Sequence, residues 1–295
     1  MGNKAIVTGC VSIFFLLSIG DVIAQQQEEL DKAFLRIIYI FDQQADKEKE
    51  QIVVTDTMAL DIGQHWSVYY DWNKERRDSI AQIEDKKTLS MIKSVNVLKD
   101  NNEILERFEN RNIKPTFIND RKGESARIFK NRIQNEIVTI DIGPGYGEKR
   151  SYLRLKEEIP PMDWQISEDT LSVMGYVCYK ATTSFRGRDY SVWFSPEVPV
   201  NDGPWKLYGL PGAILSAKTE DGLFRFHAIG LEQLRDQPIG FPTDRIFEEA
   251  KNLKQLNEYR RSKLKDLSIS YMEGSNMTVF KKKNPVSYHD LELND

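Results

Sequence analysis

The chain has 295 residues, with 41 basic against 45 acidic side chains and a net charge of -4. That is long enough for a substantial core, and it carries neither a nucleic-acid footprint nor a strongly anionic tail. A composition of 40% hydrophobic, 29% charged and 11% aromatic residues is that of a soluble globular protein. The aromatics fall in short alternating runs, which favours β structure.

Residues 1–24 read as a signal peptide: Lys4 is the positive n-region, Ala5 to Ile19 the apolar core, and Val22-Ile23-Ala24 the cleavage site. Cleavage after Ala24 predicts an exported protein, in the periplasm or at the outer membrane, with no integral membrane segment in the mature chain. A retained anchor is the alternative, but the apolar run is short for a span and no positive stop-transfer cluster follows it. Val7-Thr8-Gly9-Cys10 resembles a lipoprotein box, yet here the apolar run follows the cysteine. Once Cys10 has left, Cys178 has no intramolecular partner, and its strand-like surroundings suit a small buried thiol better than a nucleophile.

Residues 25–295 are expected to form a single β-rich domain. Phe34 to Phe41, Ile52 to Ile62 and His65 to Tyr70 alternate as antiparallel strands. From about 74 to 112 the apolar spacing lengthens to three or more, predicting a helical insertion that serves as a lid, a partner surface or a cover for the sheet. Strand character returns at Thr116 to Ile118, Ala126 to Phe129 and Ile137 to Ile142. Gly143-Pro144-Gly145-Tyr146-Gly147 reads as a hairpin turn, since it lacks Gly-Lys-Ser/Thr and leads into a strand at Ser151 to Leu155. Beyond Pro160-Pro161, short strands from Trp164 to Ile229 predict a meander. A helix over about 243–266 is expected to lie on the sheet, capped by Thr243 or Asp244, with Glu248 and Glu249 early and Arg260, Arg261, Lys263 and Lys265 late. The tail with Lys281-Lys282-Lys283-Asn284-Pro285-Val286, basic and then acidic, reads as a solvated end, with contact to a membrane or partner as the alternative.

Between Tyr190 and Ile214 the chain concentrates Pro and Gly around Trp193 and Trp205, so the backbone there follows one path. Gly203-Pro204-Trp205-Lys206-Leu207-Tyr208-Gly209-Leu210-Pro211-Gly212-Ala213-Ile214 closely resembles the signature of the GLPGLI family, exported proteins typical of the Bacteroidota. The blocks before it resemble the family as well: Trp164, Gly175-Tyr176 with Cys178, Phe185-Arg186-Gly187-Arg188, and Trp193-Phe194 with Pro196 to Pro199. Ala213 departs from the usual Leu, which removes apolar bulk without adding polarity. The family has no established activity. A related domain resembles the N-terminal module of some secreted peptide:N-glycanases, and the layout is similar to the curved half-barrel of lipoprotein carriers. The fold class implied is therefore mainly β with helices: a curved antiparallel sheet or half-barrel bearing the insertion and the C-terminal helix. Fold alone does not fix function.

Chemistry finds little support in the residues. His65, His227 and His289 are scattered, with no serine elbow and no metal-ligand spacing, so no cofactor and no catalytic residue is assigned. Asp163, Glu168, Asp169, Asp189, Glu197 and Asp202 cluster around the signature, where two carboxylates could serve glycan chemistry. The plainer reading makes them solvated turn residues or partners of Arg186 and Arg188. Trp193, Trp205 and Tyr208, with Arg186 and Arg188, could line a groove for an apolar, peptide or glycan ligand. Alternatively the rings seal the end of a sheet, with Gly203, Pro204, Gly209, Leu210, Pro211 and Gly212 shaping the loop. The leading expectation is a non-enzymatic binding or carrier protein holding its ligand between sheet and helices. A glycan- or peptide-directed hydrolase and a structural accessory of an outer-membrane assembly are the alternatives.

Overall fold

The computed structural model describes residues 28–44, 53–73, 126–143, 151–158, 161–243, 246–265, 268–273, 276–281 and 291–293. The signal segment 1–24, the helical insertion 74–112 and the strand at 116–118 lie outside them. The described protein is mainly β. Its first six strands are β1 (Glu28–Gln44), β2 (Val53–Ile62), β3 (Trp66–Asp71), β4 (Arg127–Asn131), β5 (Glu136–Ile142) and β6 (Tyr152–Glu158). β7 (Gln165–Val173), β8 (Tyr176–Phe185), β9 (Arg188–Ser195), β10 (Ala213–Thr219) and β11 (Phe224–Phe241) follow, and then β12 (Phe247–Glu249).

These strands form one open sheet in the order β12-β6-β5-β4-β3-β2-β1-β11-β10-β9-β8-β7. It consists of two antiparallel meanders, β1 to β6 and β7 to β11, joined where the long strands β1 and β11 pair. Two of the hairpins explain themselves locally. Met174-Gly175 and Arg186-Gly187 form two-residue loops with φ of 53 and 88°, and 51 and 78°. Positive φ at both positions matches the right-handed twist of the flanking strands.

The sheet curls strongly. β6 and β9 stand second and tenth in its order, so at about 4.8 Å per strand a flat sheet would hold them roughly 40 Å apart. Yet Arg186, in the β8–β9 turn, donates from Nη2 to Glu157 Oε1 of β6 at 2.8 Å. One face therefore wraps around an interior. Strand alternation puts Leu60, Tyr69 and Ile128 of the first meander on that face, with Tyr190, Val192 and Phe226 of the second. The interior is filled by the segment 196–212 that joins β9 to β10: Trp205, Leu207 and Leu210 are all buried there. Opposite, Val68, Tyr70, Phe129 and Ile140 pack against Ile239 and Phe241 from the end of β11.

The expected C-terminal helix is half as long as its sequence pattern suggests. Phe247–Glu249 instead pairs in parallel with Tyr152, Leu153 and Arg154 of β6, the one parallel pairing among the described residues. The free edge of β6 offers backbone partners that a further helical turn would forgo, and that tertiary pairing overrides the periodicity. Helix α1 (Leu253–Lys265) starts only after Asn252, whose Oδ1 accepts from Gln255 N at 2.9 Å. Asn252 is thus the cap, in place of Thr243 or Asp244. Leu253 and Leu256 seat α1 on Leu153 and Leu155 of β6. It is the only helix lying wholly among the described residues. A separate hairpin, β13 (Ser268–Glu273) with β14 (Asn276–Lys281), follows the helix.

Candidate functional site

The segment 196–212 is held in its second half and at its exit. Tyr39 Oη of β1 donates to Ile214 O at 2.8 Å, fixing the exit into β10. Trp164 Nε1 donates to Tyr208 O at 2.9 Å. Gly209 has φ of 97°, a left-handed conformation that glycine adopts without strain. A Cβ on Gly212 would fall 2.2 Å from Ser195 O, so only glycine lets the two strand ends approach this closely. Trp205 is itself left-handed, with φ of 55°, a costly state for a bulky residue unless its surroundings enforce it. They do: its ring stacks on Tyr190 at 6.1 Å and meets Phe185 edge-on at 5.7 Å.

Two buried ionic clusters fasten the segment to the first meander. Asp202 is wholly buried and pairs with Lys130 of β4 and, at 2.9 Å, with Arg132 just beyond β4. Lys130 Nζ also donates to Gly203 O at 2.6 Å. Burial pushes the Asp202 carboxyl up, but Lys130 and Arg132 outweigh it and hold it below its ordinary 3.8. Burial pulls the Lys130 amine down, against the pull of Asp202. The sequence reading, which made Asp202 a solvated turn residue or a partner of Arg186 and Arg188, is corrected here. The second cluster joins Lys206 to Glu157 at 2.5 Å and to Glu292 at 2.6 Å, with Arg186 on Glu157 as well.

Beside the first cluster lies an open cleft of about 470 Å³. Pro199, Val200, Asn201, Pro211 and Gly212 form one side, and Phe34, Gly63, Gln64 and Arg132 the other. Arg132 gives the cleft a fixed wall, because its Nη2 donates to Gly63 O at 2.5 Å and to Gln64 O at 3.0 Å while Nη1 holds Asp202. Phe34 is 49% exposed, so a ring stands open above prolines and amide side chains. That combination suits a flat apolar contact with a few polar anchors. Among the described residues the lining contains no Asp, Glu, Ser, Cys or His.

The residues that sequence reasoning singled out are distributed over three places. Trp205 and Tyr208 are buried inside the curl. Trp193 alternates to the other face of β9 from Tyr190, Val192 and Phe194, and is half-buried. Arg186 and Arg188 flank the β8–β9 turn, on Glu157 and Asp221 respectively. Pro211 and Gly212 reach the cleft, Gly203 and Pro204 are buried, and Leu210 is in the core. Cys178 is fully buried on β8, and burial raises its thiol pKa. Lys130, Arg132, Lys206, Glu157 and Phe34 were given no site role by sequence reasoning. Lys130 did leave a signal, since alternation puts it two residues after Ile128 on the same inward face. Among the described residues no helix is long and apolar enough to cross a membrane.

No family model matches the chain, and no curated protein matches it. Among solved structures it is similar to the peptide:N-glycanase PNGF-II in two crystal forms. One shares 13% identity and a TM-score of 0.48, over 82% of this chain and 35% of that one. The other shares 13% identity and a TM-score of 0.45, over 83% and 35%. The chain thus spans about a third of the length of those structures, and at this level the likeness carries no conclusion about activity.

Proposed function

We propose that the protein is an exported binding protein of the GLPGLI family that holds a short stretch of glycan or extended peptide in the cleft beside segment 196–212, without turning it over. The carrying observation is the cleft itself, about 470 Å³ and open, with one side made by the signature segment and the other by Phe34, Gln64 and Arg132. An exposed ring and two proline faces give a hydrophobic platform, while Asn201 and Gln64 offer amide donors and acceptors. The carrier form of this reading needs an interior cavity, but Trp205, Leu207 and Leu210 occupy the curl, so the site moves to its rim. A hydrolase would need two carboxylates facing the ligand, and the described residues of the cleft lining include none. Export to the periplasm or the outer membrane belongs to the same proposal and rests on the 1–24 segment.

The test is capture of labelled protein on arrays of oligosaccharides and of extended peptides. Wild type is expected to be retained and Phe34→Ala to lose at least about tenfold in affinity, a ring contact's worth. Equal retention of both proteins would remove the cleft from consideration.

A second reading has its own observation. The β7–β8 hairpin at the sheet edge exposes Ile166, Leu171, Met174, Val177 and Tyr179, a surface suited to an accessory that docks on another protein. Replacing Ile166 and Val177 by Asp should abolish co-purification with an envelope partner; unchanged co-purification ends that reading.

A further inference from the structure

The chain contributes one more segment to the interior. Residues 291–293 are no part of any strand, yet they lie against the β8–β9 turn and Lys206. Leu291 packs on the main core cluster, and its carbonyl accepts from Arg188 Nε at 3.1 Å and from Tyr190 Oη at 3.5 Å. The Leu293 amide donates to Arg186 O at 2.9 Å. Between them Glu292, which is 8% exposed, reaches Lys206 Nζ at 2.6 Å and lies 4.0 Å from Arg186 Nε. Leu293 itself is 58% exposed.

Such contacts amount to a recognition code. The main chain is gripped at one carbonyl and one amide, which any extended peptide can offer. An apolar recess takes the first side chain, a cation takes the second, and the third is unspecified. The charges show why the second must be acidic. Lys206, 1% exposed, and Arg186 share the Glu157 carboxylate. With Glu292 in place, two cations face two carboxylates; with it gone, one carboxylate must serve both, and a buried positive charge is left short of a partner.

We propose that this slot is a binding site for an extended peptide carrying an apolar residue followed by an acidic one, and that residues 291–293 are its intramolecular occupant. The site is separate from the cleft beside segment 196–212 and does not depend on the reading of that cleft. Because the occupant is tethered, its high effective concentration keeps outside peptides away until it is displaced or weakened.

The experiment uses the full chain and a fluorescent peptide of residues 287–295, followed by anisotropy. Leu291→Ala with Glu292→Lys in the chain sets a lysine against Lys206 and Arg186 and empties the slot. This variant is expected to bind the peptide at least about tenfold more tightly than wild type does. A peptide with Glu292→Lys should bind it at least about tenfold more weakly than the natural one. A folded variant that binds neither peptide, or both equally, overturns the proposal. Loss of the variant's cooperative melt does so too, because a segment required for folding is no exchangeable occupant. In the unaltered chain, the Leu293 amide should exchange with solvent by local release, faster than the amide of Val192. Equal protection of the two contradicts an exchangeable segment. Concentration-dependent dimers of wild type that vanish in the variant would support the site and identify a second copy as one source of the peptide.

Discussion

The two meanders present different inner faces. On the second, Ala181, Tyr190, Val192, Phe194, Ala217 and Phe226 line the interior, with Arg188 the charge among them at the β8–β9 end. On the first, Asp71, Lys130, Asp141 and Glu157 intrude among Leu60, Tyr69 and Ile128. The segment between them matches both sides: Trp205 gives its ring to Tyr190 and Phe185, whereas Asp202 and Lys206 give their charges to Lys130 and Glu157. It works as a wedge with an apolar and an ionic flank. The lesson is that a dense Trp-Pro-Gly motif need not be a site; here it is the interior, and only its rim meets solvent.

Breaking the ionic flank should have the largest effect. Asp202→Ala leaves Lys130 and Arg132 without their carboxylate and is expected to cost about 3–5 kcal/mol in urea unfolding. Trp205→Ala on the apolar flank should cost a similar ~3–5 kcal/mol by opening a cavity. The two differ in their response to pH. Asp202 has a lowered pKa, so its contribution is present above 3.8 and lost as pH falls through the folded value. Asp202→Asn should flatten that acid limb, whereas Trp205→Ala leaves it intact; identical acid limbs would mean the flanks are not distinct.

Gly212→Ala should cost less, about 1–3 kcal/mol, by overpacking, since its Cβ would fall 2.2 Å from Ser195 O. A melting curve like that of wild type would show that the close approach is dispensable. The docked segment 291–293 supplies a subtler probe. Burial pushes the Glu292 carboxyl above its ordinary 4.5, with Lys206 opposing, Glu157 reinforcing and Arg186 opposing. Arg188, Tyr190 and Asp221 complete its charged and titratable surroundings. Burial and the two cations thus pull in opposite directions on this carboxyl. Exchange of the Leu293 amide, corrected for its intrinsic rate, reports release of the segment. Glu292→Lys should speed it, and an unchanged rate would contradict the pairing with Lys206 and Arg186.

Much of the strand layout could be read from alternation: Phe34 to Phe41, Ile137 to Ile142 and Asp189 to Phe194 all lie within observed strands. Periodicity misled at Ile246 to Ala250, where apolar spacing suited either a helix or an edge strand and only the free edge of β6 decided between them. The site was harder. Trp205 and Tyr208 showed in the sequence as constrained rings, but which way they face depends on the curl of the twelve-stranded sheet. Asp202 meets Lys130 across 72 residues of sequence, and residues 291–293 meet Arg186 across about a hundred. Side chains paired over such distances leave no local pattern. Phe34 stood in plain view, but its exposure follows from a bulge between Ala33 and Leu35 that alternation does not encode.

The claim that the wedge is interior while its rim binds ligand is tested most directly by titration calorimetry, using whichever oligosaccharide or peptide the arrays retain. Phe34→Ala, at a half-exposed position, should leave stability within about 0.5 kcal/mol and weaken binding at least about tenfold. Trp205→Phe, inside the curl, should lower stability yet keep affinity within about twofold. The reverse pattern, with affinity lost on changing Trp205 and kept on changing Phe34, would contradict the account.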